Sequence, residues 1–245
     1  MLVGGITVRV TVVIPTYNEA AAIARVLDDI PPALVSEVLV VDGGSTDGTA
    51  EIAAAHGAHV ILEPRRGYGR ACLTGLAAAS NPGTVVFLDG DYSDRPGEME
   101  RVVEPIRQGQ ADIVLGSRLA TPLEPGAMPW HARLGNRLAA LLIRWLYGVT
   151  LTDLGPFRAA RYEVLRAIDL REPTYGWAVE LVTRGAMHGY RVAEVPVSYH
   201  PRIGVSKISG TVRGSIGAAW CILIGIVKHR IRAGGRSSTK RGTAT

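Results

Sequence analysis

The stretch Thr84-Val85-Val86-Phe87-Leu88-Asp89-Gly90-Asp91 constrains this chain most. Its β-branched and aromatic run, with no polar face, predicts a strand buried on both sides, as in a parallel sheet. The run ends in two carboxylates separated by one glycine. Acids at the tip of a buried strand are costly unless positive charge meets them. A hard divalent cation, Mg²⁺ or Mn²⁺, takes carboxylate oxygens and keeps positions for substrate phosphates. In open α/β sheets, ligands collect beyond the carboxyl ends of strands. Asp89 and Asp91 therefore point to a metal–diphosphate site. The alternative is a solvated acidic turn.

The flanking segments supply a sheet for that strand. Residues 8–14 are nearly all β-branched and predict a first buried strand, broken at Pro15-Thr16-Tyr17-Asn18-Glu19. Asn18 can cap a helix over 19–29, and Glu19 favours its positive end. Strands are predicted over 37–41, 58–62 and 112–116, and helices over 49–56, 65–79 and 96–108. The second strand runs into Asp42-Gly43-Gly44-Ser45-Thr46-Asp47-Gly48-Thr49, where glycines admit close backbone approach and Ser, Thr and Asp cap a helix. Arg65-Arg66-Gly67-Tyr68-Gly69-Arg70 aims a helix N-terminus and three arginines at one place, which suits a diphosphate. Alternating strands and helices over 8–118 predict an α/β fold with a doubly wound, mostly parallel sheet. Asp42, Asp89 with Asp91, and Gly116 all stand at strand ends, so they are expected to converge on one edge.

The second half is less regular. A long helix is predicted over 130–147, with Arg133, Arg137 and Arg144 on one face and Leu138, Leu141, Leu142, Trp145 and Leu146 as an apolar stripe. Residues 153–158 read as a loop leading into a helix over 161–168. Another helix opens at Gly176, and a strand follows over 191–199. Residues 202–207 form a basic, glycine-containing loop. The expected division is a body over 1–210, an amphipathic helix over 211–232 and a disordered basic tail over 233–245.

Of the 27 Lys and Arg residues, nine lie beyond Glu194, after which there is no Asp or Glu; 18 basic residues then stand against 22 acidic ones before it. A basic end on a mildly acidic body attracts anionic partners, and few aromatics interleave with it to stack on bases, which argues against nucleic acid. The longest apolar run, 216–227, is too short to cross a bilayer and fits a core, re-entrant or interfacial segment. The first residues show no secretory-signal pattern, and the two cysteines lie far apart. The expectation is a cytoplasmic protein, peripheral at the inner membrane face, with a homo-oligomer left open.

Taken together, Val13-Ile14-Pro15-Thr16-Tyr17-Asn18-Glu19, then 41–49, then Asp89-Gly90-Asp91, resemble the inverting family 2 glycosyltransferases of the GT-A fold. Gly116-Ser117-Arg118, Arg133 with Asn136, 153–158 and 202–207 look like the polyprenyl- or dolichyl-phosphate mannose or glucose synthase branch. The resemblance implies that Pro15, Tyr17 and Glu19 border the nucleoside, that Asp42 faces base or ribose, and that Gly67 lies near the nucleotide. It implies that Asp89 and Asp91 hold Mg²⁺ or Mn²⁺ on the diphosphate of a UDP- or GDP-hexose. Arg118, Arg133 and Arg202 would bind the acceptor phosphate, with Ser206 and Lys207 on a loop over the site. Two places depart from the pattern. Gly43-Gly44 stands where another acid or serines are usual, and Tyr92-Ser93-Asp94 stands where a glutamine often neighbours the metal.

The implied reaction is direct displacement at the anomeric carbon, with the metal and Arg65, Arg66 or Arg70 stabilising the departing nucleoside diphosphate. A phosphate acceptor needs no strong base, because its second pKa is about 6. A hydroxyl acceptor would need one, and Asp153 or Glu180 would serve. Bland roles compete at several positions: Asp42 and Asp47 can be caps, Glu180 can cap or pair, and the arginines of 130–147 can form a solvated face. A nucleotidyltransferase and a non-catalytic nucleotide- or membrane-binding protein remain alternatives.

Overall fold

A computed structural model describes residues 9–80, 82–204, 223–226 and 230. Four strands, β1 (Val10–Thr16), β2 (Val35–Asp42), β3 (His59–Leu62) and β4 (Thr84–Phe87), pair in parallel. Three more, β5 (Ile113–Ser117), β6 (Arg158–Arg161) and β7 (Val192–Pro196), complete a seven-stranded sheet of order β3-β2-β1-β4-β6-β5-β7. β6 runs antiparallel to both β4 and β5, while β5 and β7 are parallel. The sheet is thus mixed but mostly parallel, flanked by helices on both faces.

Alternation along the strands sorts the core into two layers. Val13, Leu39, Val85 and Phe87 face the layer of α3 (Tyr68–Ala78), α5 (Trp130–Tyr147), α6 (Tyr162–Ala167) and α7 (Trp177–Met187). Val12, Ile14, Val40 and Val86 face α1 (Ile23–Asp28), α2 (Thr49–Ala55) and α4 (Met99–Arg107). Each such apolar side chain, fully buried, contributes about 1.5–3 kcal/mol. Phe87 meets Trp177 edge to face, ring centroids 4.7 Å apart, fastening α7 to the underside of β4.

Two local expectations are corrected. Residues 158–161 form the strand β6, where a loop and the start of a helix were expected. Arg-Ala-Ala-Arg favours helix locally, and pairing between β4 and β5 overrides that preference. Asn18 does not cap a helix over 19–29: α1 begins at Ile23, and Asn18 sits at φ 54°. Its side chain instead accepts a hydrogen bond from Thr46 N at 2.8 Å, and its own N–H donates to Ser45 Oγ at 2.8 Å, tying the loop after β1 to the loop after β2.

Ser206, Lys207, most of the predicted helix over 211–232 and the tail over 233–245 lie outside the described residues. Of that helix, Leu223 and Ile226 pack into the layer of α5 and α7. Among the described residues, no helix is long and apolar enough to cross a membrane.

Candidate active site

Because β1, β2, β3 and β4 are parallel, the loops after them rise from one edge of the sheet. They enclose a cleft of about 430 Å³. The end of β1 contributes Pro15 and Thr16 and the loop after it Tyr17 and Glu19; the loop after β2, Gly43; the loop after β3, Glu63, Arg65, Arg66 and Gly67. Asp89, Gly90 and Asp91 form its floor past β4, and Tyr175 and Arg202 close it from the second half of the chain. Ten residues singled out from the sequence are brought together here: Pro15, Tyr17, Glu19, Arg65, Arg66, Gly67, Asp89, Gly90, Asp91 and Arg202.

The acid pair is held from its own loop and from the far segment. Asp91 is buried, and its Oδ1 accepts from Ser93 N at 2.9 Å and Ser93 Oγ at 2.6 Å. Arg202 Nη1 lies 3.3 Å from Asp91 Oδ2, and Nη2 donates to Glu19 Oε1 at 3.0 Å. Ile203 N donates to the Asp91 carbonyl, which fixes the Arg202 segment over the loop. Asp89 is half-buried against the cleft; its carboxyl is pushed up to about 7, first by burial and then by the charge of Asp91, with Arg158, Arg118 and Arg202 pulling it back. Asp94 lies beneath, 1% exposed, with no hydrogen-bond partner on either oxygen; burial and nearby Asp89 push its carboxyl well above the usual range.

This donor set suits a hard divalent cation. Two crowded carboxylates, one resisting ionisation because of its burial and then of the other's charge, gain from a positive ion. Among the described residues, no group of three or more His, Cys, Asp or Glu could hold a metal by itself. A cation at Asp89 and Asp91 would thus complete its coordination with water and phosphate oxygens.

The opposite wall is basic and aromatic. Arg66 donates to the Tyr17 hydroxyl at 2.5 Å and lies 4.3 Å over its ring. Arg65 pairs with Glu63 through Nε at 2.8 Å and Nη2 at 3.0 Å. Gly67, at φ 145°, lets the chain pass the Pro173 carbonyl at the start of α3; a Cβ there would lie 2.2 Å from that oxygen. Asp42 does not line the cleft: its carboxylate accepts from Gly44 N at 3.0 Å, Ser45 N at 2.8 Å and the Ser45 hydroxyl, so it holds the turn that Gly43 presents. Asp47 braces the start of α2 at Thr49 N and also accepts from Ala20 N at 3.1 Å.

The two proposed bases are placed otherwise than expected. Asp153 is fully buried, and Arg118 grips it through Nε to Oδ2 at 2.6 Å and Nη2 to Oδ1 at 2.8 Å. Burial works to raise its pKa, but Arg118 and backbone N–H groups outweigh that and hold it below the usual carboxylate range. Glu180 caps the chain before α7, accepting from Arg171 N and Glu172 N, with Arg184 Nε at 3.3 Å. Each carboxylate is consumed by its partners and lies outside the cleft lining, so neither is a base for a substrate there. Arg118 is occupied by Asp153 and stacks 4.9 Å from the Tyr199 ring. Arg133 is exposed on the first turn of α5, donating to the Met128 carbonyl, and is not among the cleft-lining residues.

Three contributors were missed from sequence. Arg158 is 2% exposed in β6, lies over the Trp177 ring at 5.6 Å, and its positive charge restrains Asp89 and Asp94. Glu63 orients Arg65, and Tyr175 lines the cleft. Arg158 was visible only as the last residue of the family-like segment 153–158, and its buried role was hidden because that segment was read as a loop; the Glu63-x-Arg65 spacing was the visible cue to the Glu63–Arg65 pair.

A cleft with paired acids at a strand tip, a helix start and an arginine wall can hold a nucleoside diphosphate through a cation and stabilise it as it departs. Comparison with known proteins agrees. The family model described as Glycosyl transferase family 2 matches residues 11–169. An uncharacterized glycosyltransferase of Mycobacterium tuberculosis (strain ATCC 25618 / H37Rv) is 41% identical over 208 residues, covering 84% of this chain and 93% of the relative. An undecaprenyl-phosphate mannosyltransferase of Micrococcus luteus is 34% identical over 223 residues, covering 84% and 90%. Among solved structures, glucosyl-3-phosphoglycerate synthase from Mycobacterium tuberculosis, in complex with Mn²⁺, UDP and glucosyl-3-phosphoglycerate, superposes with a TM-score of 0.72 at 26% identity, covering 90% of this chain and 79% of that one. The acids at the end of β4, the loops gathered over them and the family match across most of that sheet lead to one conclusion: the chain belongs to glycosyl transferase family 2 and is a glycosyltransferase.

Proposed function

We propose that the enzyme transfers a hexose from a UDP- or GDP-hexose to a polyprenyl phosphate. The observation that carries this reading is the acid pair Asp89–Asp91 facing a basic wall across one cleft. Asp89 and Asp91 would hold Mg²⁺ or Mn²⁺, which neutralises charge on the leaving diphosphate when bound. Support for the cation comes from the Mn²⁺ and UDP complex of the structural neighbour, and support for the acceptor from the name of the Micrococcus relative.

Arg66 and Tyr17 offer a donor and a ring face to the nucleoside end, and the start of α3 offers backbone N–H groups to the diphosphate. The acceptor phosphate oxygen attacks the anomeric carbon as the bond from that carbon to the diphosphate breaks, inverting the centre. A phosphate monoester is already anionic near neutral pH. That fits a cleft whose neighbouring acids, Asp153 and Glu180, are engaged elsewhere. Arg202 supplies a charge that can orient the acceptor.

The test is product analysis with Mn²⁺, UDP-glucose or GDP-mannose, and either polyprenyl phosphate or 3-phosphoglycerate. Expected products are a polyprenyl monophosphohexose and a nucleoside diphosphate. Transfer to 3-phosphoglycerate alone overturns the lipid acceptor, and release of pyrophosphate overturns glycosyl transfer.

A further inference from the structure

The sequence placed membrane contact on the helix over 211–232, but the described residues show a different surface. Helix α5 buries Ala139, Ala140 and Ile143 against the core. Its opposite side is also apolar. Trp130 is 73% exposed, Leu134 50%, Leu138 45%, Leu141 61% and Trp145 79%. At 3.6 residues per turn, these five fall within an arc of about 80°, on a helix about 27 Å long. Arg133, Arg137 and Arg144 are exposed along one border of that arc. There is no Asp or Glu between Glu124 and Asp153.

A contiguous apolar face of this size on a soluble surface marks an interaction site. We infer that α5 lies flat on an anionic bilayer, with Trp130, Leu134, Leu138, Leu141 and Trp145 entering the interface and the three arginines meeting lipid phosphates. Charge selects this occupant. A second copy joined through the same face would set arginines against arginines if the two helices ran antiparallel, and in a parallel pair its α5 would still offer them no carboxylate. The remainder of this chain brings them no carboxylate either, since none follows Glu194. The occupant must itself be negative and must accept an apolar stripe, as an anionic membrane surface does. Tryptophans near both ends suit the headgroup boundary. The length and hydropathy of α5 fall short of a span, so it lies on the membrane and does not cross it. This docking is independent of donor and acceptor chemistry, because it is measured without either.

The experiment uses the full chain with vesicles of phosphatidylcholine alone or mixed with phosphatidylglycerol, read by co-sedimentation and by tryptophan quenching from brominated lipids. The wild type is expected to partition onto the mixed vesicles and to be quenched there. The variant Trp130→Ser/Leu141→Ser/Trp145→Ser should lose roughly tenfold or more of that partitioning. Its melting temperature reports whether it folds. Arg137→Glu/Arg144→Glu, which leaves the apolar stripe intact, should weaken the preference for phosphatidylglycerol by roughly tenfold or more, the nine basic residues beyond Glu194 retaining the rest. Equal binding to both vesicle types overturns the inference, as does undiminished binding by both variants. A dimer in sedimentation equilibrium that the serine variant dissolves, without vesicle binding by the wild type, also overturns it and assigns the face to a second copy.

Discussion

Arg202 holds Asp91 and Glu19 at once, 3.3 Å from Asp91 Oδ2 and 3.0 Å from Glu19 Oε1. One guanidinium, delivered by a segment remote in sequence, balances an acid that should take a cation on substrate binding. Arg202→Ala should therefore bind Mn²⁺ as well as the wild type or a few-fold better, because a competing charge is gone. Its kcat should fall by about 10²-fold as phosphate orientation is lost. Isothermal titration with Mn²⁺ and UDP, beside steady-state kinetics, separates the two effects. Unchanged kcat with unchanged Mn²⁺ affinity removes Arg202 from the site.

Replacing the acids themselves tests the floor of the cleft. Asp89→Asn and Asp91→Asn should each lower turnover by about 10³-fold or more, the scale of losing transition-state charge stabilisation. They should also abolish the rise in melting temperature that Mn²⁺ with UDP gives the wild type, since a ligand selective for the native state stabilises it. Either variant keeping a near-normal, metal-dependent rate contradicts the assignment.

The placement of Asp89 predicts a pH dependence with a definite sign. Its folded pKa, about 7, lies above the unfolded carboxylate value of about 3.9. Between those values the native state binds more protons than the unfolded one, so stability in the absence of metal falls as pH rises through that window. Melting temperature measured in chelator should thus be higher near pH 6 than near pH 8, and Asp89→Asn should flatten the difference. Mn²⁺ affinity should run the opposite way, weakening below about pH 7 as protons compete for the carboxylate. A wild-type melting curve that does not move over this range, or moves equally in Asp89→Asn, counts against the perturbed acid.

What could be read from the sequence follows from what each residue's own neighbourhood determines. Buried parallel strands are continuous apolar runs, so β1, β2 and β4 and the acids past β4 were visible. Asp153 and Glu180 were visible as acids, but their partners were not, because Arg118 stands far from Asp153 in the chain and meets it only through the fold. β6 was hidden because its strand state comes from two neighbours. For α5 the period was legible and the orientation was not. Of the expected stripe, Leu142 and Leu146 are half-buried, while Leu138, Leu141 and Trp145 face outward.

The Arg118–Asp153 pair separates a holding role from a chemical one. Asp153→Ala leaves a largely buried guanidinium without its carboxylate, and breaking such a pair costs about 3–5 kcal/mol. Asp153→Asn keeps the shape and should cost less. In both variants the pH–rate profile of the surviving enzyme should keep its wild-type limbs, since no proton passes through Asp153. Loss of the basic limb in Asp153→Asn, with the fold intact, restores the residue as a general base.

Gly67 tests whether the start of α3 belongs to the nucleotide wall. At φ 145° the backbone is in a region that side chains avoid, and a Cβ would stand 2.2 Å from the Pro173 carbonyl. Strain of this kind costs roughly 1–3 kcal/mol, and the contact with backbone cannot be relieved by a rotamer. Arg70 N donates to the same carbonyl at 3.0 Å, so the first turn of α3 must shift with it. Gly67→Ala should lower the melting temperature and raise KM for the nucleotide sugar, because the start of α3, which lines the cleft at Gly67 and Tyr68, moves. A control at Gly109, also at positive φ but with nothing near its Cβ position, carries backbone strain without the collision. Gly109→Ala should therefore lower stability while leaving KM unchanged. If calorimetry finds UDP affinity equal in Gly67→Ala and the wild type, the start of α3 is not part of the nucleotide wall.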